Sequence, residues 1–271
     1  MQYLEFRPGE QLAKFIKCFW VLESPSSPSP GQERILPDGC TEIVFHIGDP
    51  FAQHNPNGTA ERQPLALLVG QMRHHLLIQP TGRVHVLGVR FWPGGAYPFI
   101  GVPQNELAGK VIALDAIWGA IAHELQSRIA DAPTPAESVK QVETVLTSRL
   151  NRFHRHDDTV LNAIAAIFRS GGSLPVESLA AGMGIGLKRL DRKFNNRVGL
   201  PPKLLCRIVR FQRVLRMLER RENDRDFVQT ALDCGYYDQS HFIKEFKSFA
   251  GKGPTSYFAE PNIMTDYFIA S

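Results

Sequence analysis

The last third of the chain contains an internal repeat, which limits the possible folds more than any other feature of the sequence. Four residues of a first copy recur 52 positions later in similar form: Leu190, Phe194, Gly199 and Pro202 correspond to Phe242, Phe246, Gly251 and Pro254. Further upstream, Ala180 and Gly184 recur as Ala231 and Gly235 at an offset of 51. Two copies that differ by one inserted residue at a turn indicate a duplicated structural unit.

Each copy has the pattern of a helix, a glycine turn and a second helix. In the first copy a helix over 176–183 ends at Gly184, because glycine readily adopts the left-handed conformation that terminates helices. The second helix begins near residue 187 and is predicted to bury Leu187, Leu190 and Phe194. In the second copy a helix over 228–232 is broken at Gly235, and Asp238 caps the helix that follows. Each copy therefore predicts a helix-turn-helix unit.

The second helix of each unit is predicted to expose side chains that hydrogen-bond to phosphates and base edges. In the first unit, over about 187–198, these are Lys188, Arg189, Asp191, Arg192 and Asn195. In the second unit, over about 239–250, they are Gln239, Ser240, His241 and Lys244. We therefore predict that both are recognition helices for double-stranded DNA.

A long helix is predicted over 202–221, between the two copies. Apolar residues line one face, and arginines line the other: Arg207, Arg210, Arg213, Arg216 and Arg220. About 19 residues at ~1.5 Å each span ~28 Å, which is close to the ~34 Å between successive major-groove openings on one face of DNA. Such a helix would let both recognition helices bind one duplex in successive major grooves.

The distribution of charge agrees with this prediction. Residues 1–150 carry 12 Lys and Arg against 14 Asp and Glu, whereas residues 151–258 carry 19 against 11, a net charge of +8. Positive charge confined to one segment is expected when only that segment meets a polyanion.

The repeat also resembles a known family. The stretches LAAGMGIGLKRLDRKFNNRVGLPP (179–202) and ALDCGYYDQSHFIKEFKSFAGKGPTSYF (231–258) are similar to the two helix-turn-helix motifs of the AraC-type transcription regulators, a bacterial group. The resemblance implies base reading by six of the residues above: Lys188, Asp191, Arg192, Gln239, Ser240 and Lys244. Three positions depart from the family pattern: Gly186 replaces a serine, Lys244 replaces an arginine, and Phe258 also stands where arginine is common.

The first ~105 residues are predicted to be rich in β-structure, as a barrel or sandwich, with a cupin-like fold as one form of it. The expected strands cover 4–6, 19–22, 41–47, 65–69, 76–78 and 84–92, and helical spacing follows over 117–125 and 139–150. We thus expect an α+β protein with a sensor or dimerisation domain (1–153), an all-α DNA-binding domain (154–258) and a tail (259–271).

Four stretches of the N-terminal domain resemble an uncharacterised domain that precedes AraC-type regions: FWVLE (19–23), ILPDGCTEIVF (35–45), VGQ (69–71) and GVRFWPGGAYPFIGVP (88–103). The resemblance implies sensing or dimerisation and names no ligand.

The candidate effector-binding residues are Arg90, Trp92, His46 and Glu42. On a strand, Arg90 and Trp92 share one face and could clamp an anionic or aromatic ligand. The alternative is that Arg90 pairs with Glu42 and that Trp92 is a core residue. His74 and His75 are adjacent and would point to opposite faces of a strand, so we expect no metal site and no cofactor.

We expect no catalytic residues, because the chain lacks a GxSxG motif. Two alternatives stay open: an enzyme that its C-terminal domain tethers to DNA, and a constitutive DNA-binding protein with a structural N-terminal domain. Four separated cysteines and a charged N-terminus predict a cytoplasmic protein without a membrane segment. A second copy of the chain and, for an activator, RNA polymerase are the further expected partners.

Overall fold

A computed structural model describes residues 1–24, 31–153, 158–219 and 226–260. The strands in these ranges are β1 (Gln2–Phe6), β2 (Ile16–Ser24), β3 (Glu33–Ile35), β4 (Thr41–His46), β5 (Ala52–His54), β6 (Ala60–Arg62), β7 (Ala66–Val69), β8 (Leu76–Gln79), β9 (Val84–Phe91) and β10 (Val111–Ala113). The helices are α1 (Tyr97–Ile100), α2 (Asp115–Trp118), α3 (Ala120–Ala130), α4 (Pro135–Phe153), α5 (Asp158–Arg169), α6 (Val176–Gly182), α7 (Leu187–Arg197), α8 (Pro202–Glu219), α9 (Phe227–Asp233), α10 (Gln239–Ala250) and α11 (Pro254–Phe258), with a 3-10 turn at Gln104–Glu106.

The strands form two antiparallel sheets in the N-terminal half. The larger sheet has the order β1-β2-β9-β4-β7-β10, and the smaller has the order β3-β8-β5-β6. Successive residues of a strand point to opposite faces, and β9 shows this pattern. Its residues Val89 and Phe91 pack in the core that helices α1 to α4 cover, whereas Val84 and Val86 pack toward the smaller sheet. The larger sheet is therefore buried on both faces.

The predicted strands are all present, as β1, β2, β4, β7, β8 and β9. Four strands were missed: β3, β5, β6 and β10 have only three residues each, and β6 is fully exposed. An alternating apolar pattern cannot be recognised in three residues. β3, β5 and β10 form through pairing with β8 and β7, which are distant in sequence, whereas β6 pairs with the neighbouring β5.

The C-terminal half consists of two small cores on either side of α8. Helices α5, α6 and α7 pack against the first half of α8 around Leu190 and Phe194. Helices α9, α10 and α11 pack against its second half around Phe211, Phe242 and Phe246. The chain is thus an α+β protein with a sheet-rich N-terminal domain and a helical C-terminal region, as predicted.

One expectation for the C-terminal half requires correction. Leu187 is 42% exposed, because it occupies the first position of α7, beyond the core that Leu190 and Phe194 fill. The arginines of α8 lie opposite its apolar face as predicted, and two of them, Arg207 and Arg210, bind a buried glutamate of α10. Arg220 and the end of the helix predicted to residue 221 lie outside the described residues, as do positions 261–271 of the predicted tail.

The four cysteines are buried and unpaired. Within the described part of the chain, every helix is too short or too polar to cross a membrane.

Candidate functional site

The first helix-turn-helix unit consists of α6, a glycine turn and α7. Gly184 adopts a φ of +65°, and the amide of Ile185 returns to the carbonyl of Ala180 at 3.1 Å. A left-handed residue of this kind closes a helix and redirects the chain. The N-cap of α7 is Gly186, which contributes no side-chain hydrogen bond. This end of α7 is therefore held by its backbone and by the core beneath Leu190.

The predicted recognition residues of α7 lie on its outer face. Lys188, Arg189, Asp191 and Arg192 are exposed, and Asn195 is half-buried. The Asn195 amide donates to the Asp191 carbonyl at 3.0 Å, one turn earlier in the same helix. This face thus presents three cations at the surface, while Asn195 is partly committed to its own helix.

The second unit consists of α9, a turn and α10, and side chains cap both helices. Asp226 accepts from the amides of Val228 and Gln229 at the start of α9. Gly235 ends α9 with a φ of +85°. Asp238 accepts from the His241 amide at 2.7 Å, which confirms the predicted cap of α10. Gln239, Ser240, His241 and Lys244 are all exposed.

A buried ion cluster fixes α10 on α8. Glu245 of α10 is only 4% exposed, and its two carboxylate oxygens contact Arg207 Nε at 2.6 Å and Arg210 Nη2 at 3.2 Å. A carboxylate that is buried between two guanidiniums gains charge-assisted hydrogen bonds with directional geometry. These two ion pairs join α10 to the middle of α8. Sequence analysis missed this contact, because Glu245 follows Lys244 in a helix that otherwise looks solvated there.

Both recognition helices border one groove. Its walls include Leu187 and Asp191 of α7, Lys203 of α8, and His241 and Lys244 of α10. The groove measures about 790 Å³ and is open to solvent. The two recognition helices therefore lie on the same side of α8, as the binding of both to one duplex requires.

The C-terminal end of α10 is completed by the N-terminal domain. The last four carbonyls of a helix lack partners within that helix. Here Lys247 accepts from the Gly251 amide at 2.8 Å. The other three carbonyls bond to N-terminal residues: Ala250 O to Arg34 Nη1 at 2.9 Å, Phe249 O to the His75 amide at 2.9 Å, and Ser248 O to His74 Nδ1 at 2.8 Å.

His74 and His75 do not lie in a strand, since β8 begins at Leu76. The His75 imidazole packs on Gly251, where an added Cβ would come within 2.3 Å of its Cε1 atom. With a φ of +77° as well, only glycine fits at position 251. Burial, assisted by the charge of Arg34, lowers the pKa of His75 to about 4. The ring is therefore neutral at physiological pH and serves as a packing element.

Further contacts join α8 to the loop between β3 and β4. Gln212 Nε2 donates to the Pro37 carbonyl at 2.7 Å, and Leu36 belongs to the same apolar cluster as Phe211 and Phe249. The β3–β4 loop is thus packed on the helix that joins the two recognition units.

A cavity lies between the two sheets, beside this loop. It measures about 70 Å³, and by this measure a single water molecule needs roughly 10–15 Å³. Residues of both sheets, the β3–β4 loop and α8 line it: Trp20, Leu22, Ile35, Leu36, Asp38, Cys40, Glu42, Val44, Phe51, Gln63, Leu67, Val69, Met72, Leu76, Ile78, Val86, Arg90 and Gln212. The cavity therefore has room for a small molecule.

Two of the candidate effector residues, Arg90 and Glu42, meet in this cavity. Arg90 Nε contacts Glu42 Oε1 at 2.5 Å and Asp38 Oδ2 at 3.7 Å. Burial alone would lower the pKa of Arg90, but the charges of Glu42 and Asp38 outweigh it and raise that pKa. Burial raises the pKa of the Glu42 carboxyl, and the Arg90 charge opposes that change. Arg90 is thus paired with Glu42, which was the alternative to Arg90 acting as a clamp for a ligand.

The other two candidates lie outside the cavity lining. Trp92 is 38% exposed, so it is not the core residue of that alternative. It follows the last residue of β9, and its Nε1 donates to the Ala13 carbonyl at 3.3 Å. His46 is buried, and its Nε2 lies 3.1 Å from Gln63 Oε1. Burial lowers the pKa of His46 to about 4. His46 therefore lies behind the cavity wall, next to Gln63 and to the ring of Phe51, 4.9 Å away between centroids.

Among the described residues, no group of three or more His, Cys, Asp and Glu side chains is arranged to hold a metal ion.

Two family models match the sequence. Residues 4–113 match a domain of unknown function (DUF6597), and residues 179–260 match a helix-turn-helix domain. Among curated proteins, no sequence matches this chain. The second match covers both helix-turn-helix units and α11.

Among solved structures, the chain is similar to ToxT from Vibrio cholerae. ToxT of strain O395 is 12% identical over 89% of this chain and 97% of that chain, with a TM-score of 0.47. A second ToxT crystal form is 11% identical over 89% and 98%, with a TM-score of 0.49. ToxT of strain SCE256 with a bound unsaturated fatty acid is 12% identical over 88% and 96%, with a TM-score of 0.45.

Proposed function

We propose that this DNA-binding transcription regulator, whose residues 179–260 match a helix-turn-helix domain, acts as a regulator of the AraC type and inserts α7 and α10 into successive major grooves of one duplex. The observation that carries this proposal is the common groove that both helices border. Helix α8 has 18 residues, or about 27 Å at ~1.5 Å per residue. That length suits the separation of two grooves on one face of DNA.

The proposed DNA contacts divide between the two helices. In α7 they are Lys188, Arg189, Asp191, Arg192 and Asn195; in α10 they are Gln239, Ser240, His241 and Lys244. The exposure of eight of these nine side chains supports the assignment. Asn195, which bonds within α7, has only part of its amide left for DNA. Arginine is the side chain best suited to read guanine by two parallel hydrogen bonds.

We assign effector sensing to the N-terminal domain, in the division 1–153 and 154–258 that the sequence predicts, with a tail over 259–271. The support is a cavity of about 70 Å³ whose wall includes Gln212 of α8, the helix between the two recognition helices. Ile35 of the wall follows Arg34, which bonds to the end of α10. Met72 belongs to the same loop as His74, which also bonds there. A ligand that moves these walls would alter the support of the second recognition helix.

This function involves DNA as the main partner and the cytoplasm as the place of action. A second copy of the chain and RNA polymerase are the further partners that we propose. We propose no catalytic role for the N-terminal domain, whose cavity contains the partnered Arg90–Glu42 pair.

The test of the DNA-binding role is selection of bound sites from random duplexes with the full chain, followed by Arg192→Ala. We expect the substitution to cost about 2 kcal/mol on the selected site and to relax preference at one or two base pairs. Arg62→Ala, which removes an exposed arginine of the N-terminal domain, is the matched control.

Log affinity should fall linearly with log salt, because bound cations displace counterions from DNA. Binding that does not depend on salt would contradict the DNA-binding role. Equal weakening on all sequences by Arg192→Ala would make Arg192 a phosphate contact.

A further inference from the structure

The cavity between the two sheets is apolar over most of its wall. Aliphatic and aromatic side chains come from both sheets, among them Leu22, Val44, Phe51, Leu67 and Ile78. Transfer of apolar surface from water into such a site is favourable in proportion to the area that is buried. A ligand of this cavity therefore has a hydrocarbon or aromatic body.

Three charged side chains line the cavity: Asp38, Glu42 and Arg90. The 2.5 Å contact between Arg90 Nε and Glu42 Oε1 is that of a charge-assisted bond between ionised groups. Asp38 lies 3.7 Å from the same nitrogen. Two carboxylates share one guanidinium, so the cavity wall has an excess of one negative charge.

Arg90 is poorly placed to receive a ligand anion. Its side chain is only 3% exposed and lies against both carboxylates. Moving the guanidinium onto a ligand would leave Glu42 buried without its cation, and breaking a buried ion pair is strongly unfavourable. An anionic ligand that leaves the pair intact would add a third negative charge to the site. The arrangement disfavours carboxylate ligands on either route.

Asp38 is the carboxylate with capacity left for a ligand. Glu42 is engaged by Arg90, whose Nε donates to Glu42 Oε1 at 2.5 Å. In Asp38, Oδ1 accepts from the Cys40 amide at 2.8 Å, whereas among the described residues Oδ2 has only the 3.7 Å contact with Arg90. The side chain of Asp38 is 23% exposed and lines the cavity. An ammonium group could donate to this oxygen.

The aromatic wall is compatible with a cation as well. The indole of Trp20 lies over Gly88 of β9, where an added Cβ would come within 2.0 Å of the ring. Glycine at this position is what allows the ring to lie flat against the sheet. Trp and Phe rings attract cations at their faces through the ring quadrupole. Trp20 and Phe51 both line the cavity.

We propose that the cavity between the two sheets binds a small apolar organic cation, an amine with a hydrocarbon or aromatic body, whose ammonium group donates to Asp38. This inference rests on the proposed sensing role of the N-terminal domain and specifies the class of ligand. The ammonium group of the ligand gives Asp38 a cation of its own, because Arg90 is shared between Asp38 and Glu42.

The test uses three probes of nearly equal shape with the full chain: phenethylamine, 2-phenylethanol and phenylacetate. Affinity is measured by calorimetry, and the melting temperature by thermal unfolding, because a ligand of the native state raises it. We expect phenethylamine to bind about tenfold more tightly than the alcohol, a difference of ~1.4 kcal/mol. Phenylacetate should bind more weakly than both.

The variant Asp38→Asn keeps the oxygen that accepts from Cys40 and removes the charge. It should reduce the affinity for phenethylamine about tenfold and leave that for the alcohol unchanged. Glu61→Gln, which removes an exposed carboxylate of β6, is the control and should change neither. Should Asp38→Asn fail to fold, the comparison of the three probes on the unmodified chain still decides the matter.

Preferential binding of phenylacetate would overturn the proposed cation and keep the sensing role. If none of the three probes bound, both the cation and the sensing role of this cavity would be refuted. DNA binding by the same preparation, measured separately, would show whether the regulator function stands without them.

Discussion

The two helix-turn-helix units follow one sequence pattern but are held in place differently. At the end of α7, the Phe194 carbonyl accepts from the amides of Val198 and Gly199, the two residues that directly follow the helix. At the end of α10, three carbonyls accept from the N-terminal domain, through Arg34 and the segment 74–75. The last carbonyls of the first recognition helix are thus bonded locally, although Arg197 of its last turn lies over the Tyr97 ring of the N-terminal domain at 4.2 Å. The last carbonyls of the second are bonded by a domain that is distant in sequence.

The N-terminal ends of the two recognition helices differ as well, and α10 is again the better supported of the two. The N-cap of α7 is a glycine, whereas Asp238 caps α10 with its side chain. A buried Glu245 then joins α10 to two arginines of α8. The second unit is accordingly the more firmly anchored of the two and also the one in contact with the cavity walls. From this comparison we propose that α7 mainly reads sequence and that α10 is the helix subject to control.

The largest expected effect comes from removing the anchor of α10. Glu245→Ala leaves Arg207 and Arg210 without their buried carboxylate, and removing one partner of such a cluster costs about 3 kcal/mol. Chemical denaturation of the full chain measures this loss. Glu177→Ala, an exposed glutamate of the first unit, is the control and should change stability by less than about 0.5 kcal/mol. Equal costs for the two variants would show that the units are anchored alike.

A smaller effect is expected when the N-terminal support of α10 is weakened. Arg34→Ala removes the donor to the Ala250 carbonyl, and a hydrogen bond from a charged group is worth about 1.5 kcal/mol. Hydrogen exchange should become faster in the last turn of α10 and stay unchanged in α7. Arg62→Ala, an exposed arginine of the same domain, provides the comparison. Faster exchange in both helices would mean that the N-terminal domain supports them equally.

The DNA-binding half was largely predictable from the sequence, because its signals are local. Glycines, a capping aspartate and buried residues three or four positions apart define each helix. The error at Leu187 arose from that same local reasoning, since an apolar residue at the first position of a helix lies beyond the core. The helix length and the repeat were sufficient to predict two recognition helices.

The contacts between the N-terminal and C-terminal halves could not be predicted in this way. Arg34 and Ala250 are 216 residues apart, and Gln212 and Pro37 are 175 residues apart. Glu245 looks like a surface residue of an amphipathic helix until α8 brings two arginines to it. One wall of the cavity includes Ile35 of β3, a strand of three residues without a recognisable pattern. Contacts between residues so distant in sequence follow from the tertiary fold alone.

The smallest expected effect concerns base reading by α10. Lys244 is exposed on the outer face of this helix, and its ammonium is a flexible point charge. A guanidinium can donate to O6 and N7 of one guanine with fixed geometry, which a single ammonium cannot. We therefore expect selected DNA sites to carry less information opposite α10 than opposite α7. Lys244→Arg should increase preference for guanine at one position of that half-site by about 1 kcal/mol.

Site selection with both proteins, followed by titration of single-base variants, measures this change. Lys247→Arg is the matched control, since Lys247 is exposed one turn later in the same helix and is absent from the proposed contacts. It should leave the selected sequence unchanged, because a planar donor helps only where it faces a base edge. If the unmodified protein already showed its strongest preference opposite α10, the division between a reading helix and a controlled helix would be wrong. The capping contacts of α10 would then stabilise a helix that reads sequence as closely as α7 does.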